Sequence, residues 1–342
     1  INYNFSTSVE MYETLNGKNT DRYQYIFPTY NFSKNFNLNQ INGNFLFDSY
    51  GDNTLRDTNV KTSTIINNLN FSSINTFFDN GIVKNFEMFI KNLNSIGKNT
   101  IQYKNSPQSE LISTYGYNLS LPLQKKSEKT HHTLIPKASF LFSPHDMKNH
   151  TGTNRRVNAD SVFSLDRLGL GDSFESGESL ILGVDFMKQN KNVLNKNMLD
   201  EIIEIENYFD FKLATVFRLK EEQNIPTNST LGKKTSNIFG QMNFNPNKVV
   251  SLNYNFSLNN DLNYLEYNSI TTSFNFDNFS TQFNFLEERG VIGNTNVVDN
   301  ITSYNFDEYN SFSFATRRNR KLNLTEYYDL IYEYKNDCLV AG

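Results

Sequence analysis

The chain has 342 residues, with 32 basic and 36 acidic side chains for a net charge of −4, and it is rich in Phe (30) and Tyr (19) but has no Trp. The near-balance of charge gives nucleic-acid binding no support, the aromatic content argues against disorder, and no apolar run is long enough for a transmembrane helix. Cys338 is the one cysteine, so an internal disulfide is excluded and metal-ligand cysteine spacing is missing.

The first strand is expected at residues 1–10, where Ile1, Tyr3 and Phe5 alternate with polar neighbours. The chain opens there without Met and closes at Gly342 just after another strand, so both ends are expected to be cuts from a longer protein. Further strands are expected at 23–38, with Pro28 marking a bulge or an edge, then at 44–50, 60–72, 83–91, 111–123, 133–143, 178–188 and 205–220. Residues 143–159 read as a polar, basic loop. A second long loop at 189–204 runs into a short helix over 198–206, and 221–234 reads as a flexible connection.

The last third carries the clearest pattern, with strands at 238–244, 249–258, 264–276, 279–286, 303–316 and 323–335. Val250, Leu252, Tyr254, Phe256 and Leu258 fall on one face, and Ser251, Asn253, Asn255 and Ser257 on the other. Near the end, Leu322, Leu324, Tyr328, Leu330, Tyr332 and Tyr334 share a face with Glu326. Tight turns at Asn245-Pro246-Asn247, Asn259-Asn260-Asp261 and Asp277-Asn278 join neighbours, the last suited to a two-residue hairpin. Asn supplies roughly one residue in six, a type depleted in soluble strands but at home in turns and on a wetted wall.

Alternation alone fits a soluble sandwich as well as a membrane barrel. Its repetition strand after strand, with short turns set against longer loops, favours the barrel. Chemistry-bearing motifs are sparse. His131, His132, His145 and His150 lack further ligands at metal-site spacing and read as polar loop and strand start. Gly169-Leu170-Gly171 lacks the rest of a phosphate loop and reads as a turn. The Asn-Phe-Ser triplets are products of alternation in an Asn-rich chain, and no nucleophile or carboxylate pair stands out. No catalytic, cofactor or metal residue is assigned.

Two segments are more specific. One runs from Asp160 through Phe163 and Arg167 to Glu175, Gly177 and Gly183. The other is Asn323-Leu324-Thr325-Glu326-Tyr327-Tyr328, continuing to Asp337-Cys338. Both resemble the C-terminal barrel region of the lipopolysaccharide-assembly family of Gram-negative outer membranes (LptD, also called OstA). The resemblance implies an all-β, antiparallel up-and-down transmembrane barrel. Residues 1–342 would be part of that one domain, about fifteen strands of about 26, left as an open curved sheet. The periplasmic jelly-roll and the first and last barrel strands would lie outside the chain. The family implies transport of lipopolysaccharide from periplasm to outer leaflet, not enzymatic chemistry. Its implied partners are lipopolysaccharide, a lipoprotein plug (LptE-like) and a periplasmic bridge protein (LptA-like).

Cys338 matches a family cysteine that pairs with the periplasmic domain, which implies an interdomain disulfide. Arg167 and Glu175 are expected to form an ion pair in a wet lumen, and Arg155 and Arg156 to guide lipid phosphates. Two other readings stay open from the residues: another outer-membrane barrel, such as a porin or solute receptor, and a secreted all-β surface or adhesion protein. Burial of Tyr254, Phe256, Phe274 and Phe283 in a dry interior between two layers would exclude the barrel.

Overall fold

The computed structural model describes residues 3–15, 22–37, 42–100, 103–196, 201–335 and 338–342. Among these there are 19 strands, two short 3₁₀ turns and no α-helix. The chain divides into two compact units.

The first unit comprises residues 1–119, 140–148 and 169–178. It holds β1 (Tyr3–Glu13), β2 (Tyr23–Asn37), β3 (Gly43–Arg56), β4 (Lys61–Ser73), the two-residue β5 (Thr76–Phe77), β6 (Val83–Lys98) and most of β7 (Gln108–Ser120). β1 to β4 pair antiparallel in chain order, and β4 pairs with β6. The expected irregularity at Pro28 is present as a register shift between Ile26 and Thr29, because proline has no N–H to give the ladder.

The second unit holds β8 (Leu123–Lys126), most of β9 (Thr130–Ser143) and β10 (Gly177–Lys196), and then β11 (Glu201–Arg218), β12 (Ile238–Phe244), β13 (Val250–Leu258) and β14 (Leu265–Asn275). It continues with β15 (Phe279–Glu288), β16 (Asn296–Asn305), β17 (Asn310–Asn319), β18 (Leu324–Lys335) and β19 (Val340–Ala341). From β10 to β19 each strand pairs antiparallel with the next, an up-and-down meander.

Directly paired residues share a face, so the registers fix two faces. On one lie Phe256 opposite Gly240, Tyr254 opposite Met242 and Ile270, and Phe283 opposite Thr272. The same face carries Phe312 opposite Tyr332 and Phe314 opposite Leu330. This face is apolar and uncovered. Phe283 is 48% exposed and Leu330 67%, while Tyr254, Phe256 and Phe274 are only partly buried. The other face is a ladder of amides and hydroxyls. Asn243, Asn253 and Asn255 bond in sequence, and Thr271 and Gln282 both donate to Asn284, at 2.9 and 3.0 Å.

Four expectations are corrected. The 198–206 helix is not formed: from Glu201 onward the backbone is strand, with Ile203 opposite Val193. Met198, Leu199 and Asp200 lie outside the described residues. The β-branched Ile202, Ile203 and Ile205 favour the extended state. For the same reason the 189–204 loop is replaced by the ends of two long strands. The single strand at 303–316 is a hairpin of β16 and β17. Asp307 accepts the backbone N–H groups of Tyr309 and Asn310, both at 2.8 Å, and so builds a turn without Gly or Pro. Together with the short β5, β8 and β19, this raises the strand count above fifteen.

The fourth concerns Glu326. Arg317 pairs with Tyr327 but Arg318 with Thr325, so Glu326 is the extra residue of a bulge. Its carboxylate turns to the polar face, 2.8 Å from Arg317 Nε, with Asn319 Nδ2 at 3.1 Å. Leu324, opposite Asn319, is carried to that face as well, away from Tyr328 and Leu330.

Candidate functional site

A strap of residues 149–168 crosses the polar face of the second unit. Its sequence is too polar and too poor in periodicity for a strand, and its local turns are closed by its own side chains. Asn158 Oδ1, for example, accepts the N–H groups of Asp160 (3.0 Å) and Ser161 (2.8 Å). The strap is anchored at four places.

Its first half is stitched to the β11–β12 connection. His150 N–H donates to Asn224 O at 2.8 Å, Thr227 N–H to Thr151 O at 3.3 Å, and Arg155 N–H to Asn228 Oδ1 at 3.2 Å. Next, the Arg156 guanidinium pairs with Glu288 at the end of β15 and lies 5.5 Å from the Tyr267 ring centroid. Asp160 then accepts Lys212 Nζ of β11 at 2.6 Å.

Last, Phe163 lies against Gly183 of β10, where a Cβ would stand 2.7 Å from the ring tip. Lys137 Nζ is 4.8 Å from the centre of that ring and 2.5 Å from Asp185. Arg167 is 6% exposed and donates to Val162 O (3.3 Å) and Ser179 Oγ (3.1 Å). It therefore holds the strap to β10.

Beneath the strap the second face is dry rather than wet. Ile181 opposite Val216, and Ala214 opposite Phe239, are buried there, as are Val162, Leu168 and, on the neighbouring connection, Ile225 and Leu231. Beyond this patch a cavity of about 300 Å³ opens. Arg156, Asn158 and Asn228 line one side, and Asn255, Ser257 and Tyr267 line the strand side. Glu266, the extra residue of a bulge in β14, is buried close by, accepting Asn237 Nδ2 at 2.6 Å and Tyr264 O–H at 3.2 Å.

The first segment singled out by sequence thus converges in part: Asp160, Phe163, Arg167 and Gly183 build the strap anchor. Gly177 begins β10 with φ of +81°, the left-handed region that favours glycine. Glu175 is half-buried in the first unit. In that unit the returning loop is tied by Lys91, 3% exposed, which donates to Leu170 O (3.0 Å) and Gly171 O (3.1 Å) and lies 4.7 Å from the Phe174 ring centre. Burial pushes the nearby His145 imidazole below its usual pKa.

In the second segment, Thr325 and Tyr327 flank the β18 bulge around Glu326, Tyr328 is exposed on the apolar face opposite Thr316, and Asp337 lies outside the described residues. Cys338 is exposed. Arg155 is exposed, whereas Arg156 already faces a carboxylate.

Sequence reasoning missed Glu288, Glu266, Lys212 and Lys91. The available signal was a carboxylate breaking into a neutral Asn/Phe strand beside glycines. A Cβ at Gly293 would stand 2.6 Å from Glu288 Oε2, and one at Gly290 2.9 Å from Glu266 Oε1.

No curated protein matches the chain. A family profile does: LptD, LPS transport system D, over residues 1–317. That span covers the first unit, the strap and the second unit as far as β17, leaving β18 and β19 outside it. The family consists of outer-membrane transport proteins rather than enzymes, and an uncovered apolar face backed by a polar one is the surface such a location requires. The chain belongs to the LptD family of the Gram-negative outer membrane.

Proposed function

We propose that the chain is a section of the barrel wall through which lipopolysaccharide passes from the periplasm to the outer leaflet. The separation of apolar and polar faces, kept in register from β12 to β18 by bulges that turn Glu266 and Glu326 inward, carries this reading. Acyl tails stay with hydrocarbon while a hydroxyl- and phosphate-bearing head follows the amide ladder. Arg155, exposed beside the Arg156–Glu288 pair, meets the phosphates first. A periplasmic bridge protein delivers the lipid, a lipoprotein fills the lumen, and Cys338 bonds to a cysteine of the periplasmic domain.

The test is Arg155→Ala with Arg156→Ala in the full-length protein. Surface-exposed lipopolysaccharide is expected to fall severalfold at unchanged barrel abundance. Export at the unmodified level would remove the phosphate-guidance role.

A further inference from the structure

We infer that the first half of the strap and the 224–229 connection form one releasable lobe, latched by Arg156–Glu288. The two segments are bonded to each other at three places, so they move as a body. Val157, Ile225 and Pro226 are buried, but part of the lobe's inner side borders a gap. A cavity of about 300 Å³ separates Arg156, Asn158 and Asn228 from Phe239, Asn255, Ser257 and Tyr267. Facing atoms across such a gap forfeit dispersion, so the edge that borders it is held less tightly than the buried part.

At that edge an ion pair adds the closure, and it is asymmetric. Glu288 is 8% exposed, while the Arg156 side chain is 38% exposed and reaches water. A buried carboxylate depends on its cation; a half-exposed cation leaves at little cost. Behind the latch the strap is held differently, by the Phe163 ring in the space above Gly183 and by buried Arg167 on Ser179. These anchors make residues 160–168 the hinge and residues 150–158 the moving edge. Opening widens the polar face beside β13–β15. That consequence rests on the polar face being the passage, whereas the latch itself does not.

Hydrogen exchange on the full-length protein in detergent tests the latch. Glu288→Gln is expected to speed exchange about tenfold in 150–158 and 224–229, with 160–168 and β12–β15 unchanged. Arg156→Glu with Glu288→Arg is expected to restore protection. Unchanged exchange in the lobe, a uniform rise that includes β14 and β15, or no recovery in the charge-swapped variant would overturn the latch. Entry of a dye-labelled hydrophilic solute into cells reads the passage separately. A lobe that opens without added entry counts against the polar face as a passage and leaves the latch standing.

Discussion

Gly183 has no side chain because Phe163 occupies the place where one would stand, and backbone Leu213 O closes the other side at 2.8 Å. Gly183→Val is therefore expected to expel the ring and cost about 1–3 kcal/mol at the strap anchor. Limited proteolysis checks it: cleavage should appear within 149–168 while the strands stay protected. His145 offers a pH test in the first unit. Its folded pKa lies below the unfolded one, so it adds stability at neutral pH that is lost as pH falls through the ordinary histidine range toward the folded pKa. Protection factors around 144–148 and 169–174, corrected for the intrinsic exchange rate, should fall on acidification, and His145→Gln should flatten that dependence. The motif from Asp160 to Gly183 was legible as something specific, but the tasks of its residues were not. Asp160 meets Lys212 and Arg156 meets Glu288, and pairs so distant along the chain leave no periodic trace.

Among the elements, β12 to β15 were readable nearly to the residue because every second side chain had one environment. The β16–β17 hairpin was not, since its turn is built by one aspartate rather than by Gly or Pro. The β18 bulge was invisible for a different reason. Alternation counts positions, and a bulge adds one without changing composition. Because Arg317↔Tyr327 and Arg318↔Thr325 both persist without Glu326, deleting Glu326 is expected to leave Tyr328 and Leu330 on their face. Deleting Asp329 in mid-strand should reverse one flank and block folding. Heat-modifiable gel mobility of the full-length barrel separates the two outcomes. Equal loss of the folded band in both variants would show that the bulge is not what sets the register.

For the molecule as a whole, the apolar face sets the solvent it needs. Leu330→Arg is expected to cost about 2–4 kcal/mol if the residue sits near the bilayer midplane, falling toward zero at the interfaces. Denaturant unfolding in lipid gives the value, and Ser313→Arg on the polar face is the matched control. Cys338→Ser should abolish a faster-migrating non-reduced band of the full-length protein; an unchanged band would remove the interdomain disulfide.

The dry patch under the strap also has a directional consequence. Where Ile181 and Val216 are roofed over, the wall offers water no polar side chain. With the polar face as the proposed passage, traffic along this stretch would be confined to the lane paved by Asn253, Asn255, Thr271 and Asn284. Such paving is uncharged: on the proposed reading it would wet a sugar without gripping it, and leave any sorting by charge to the arginines at the kerb.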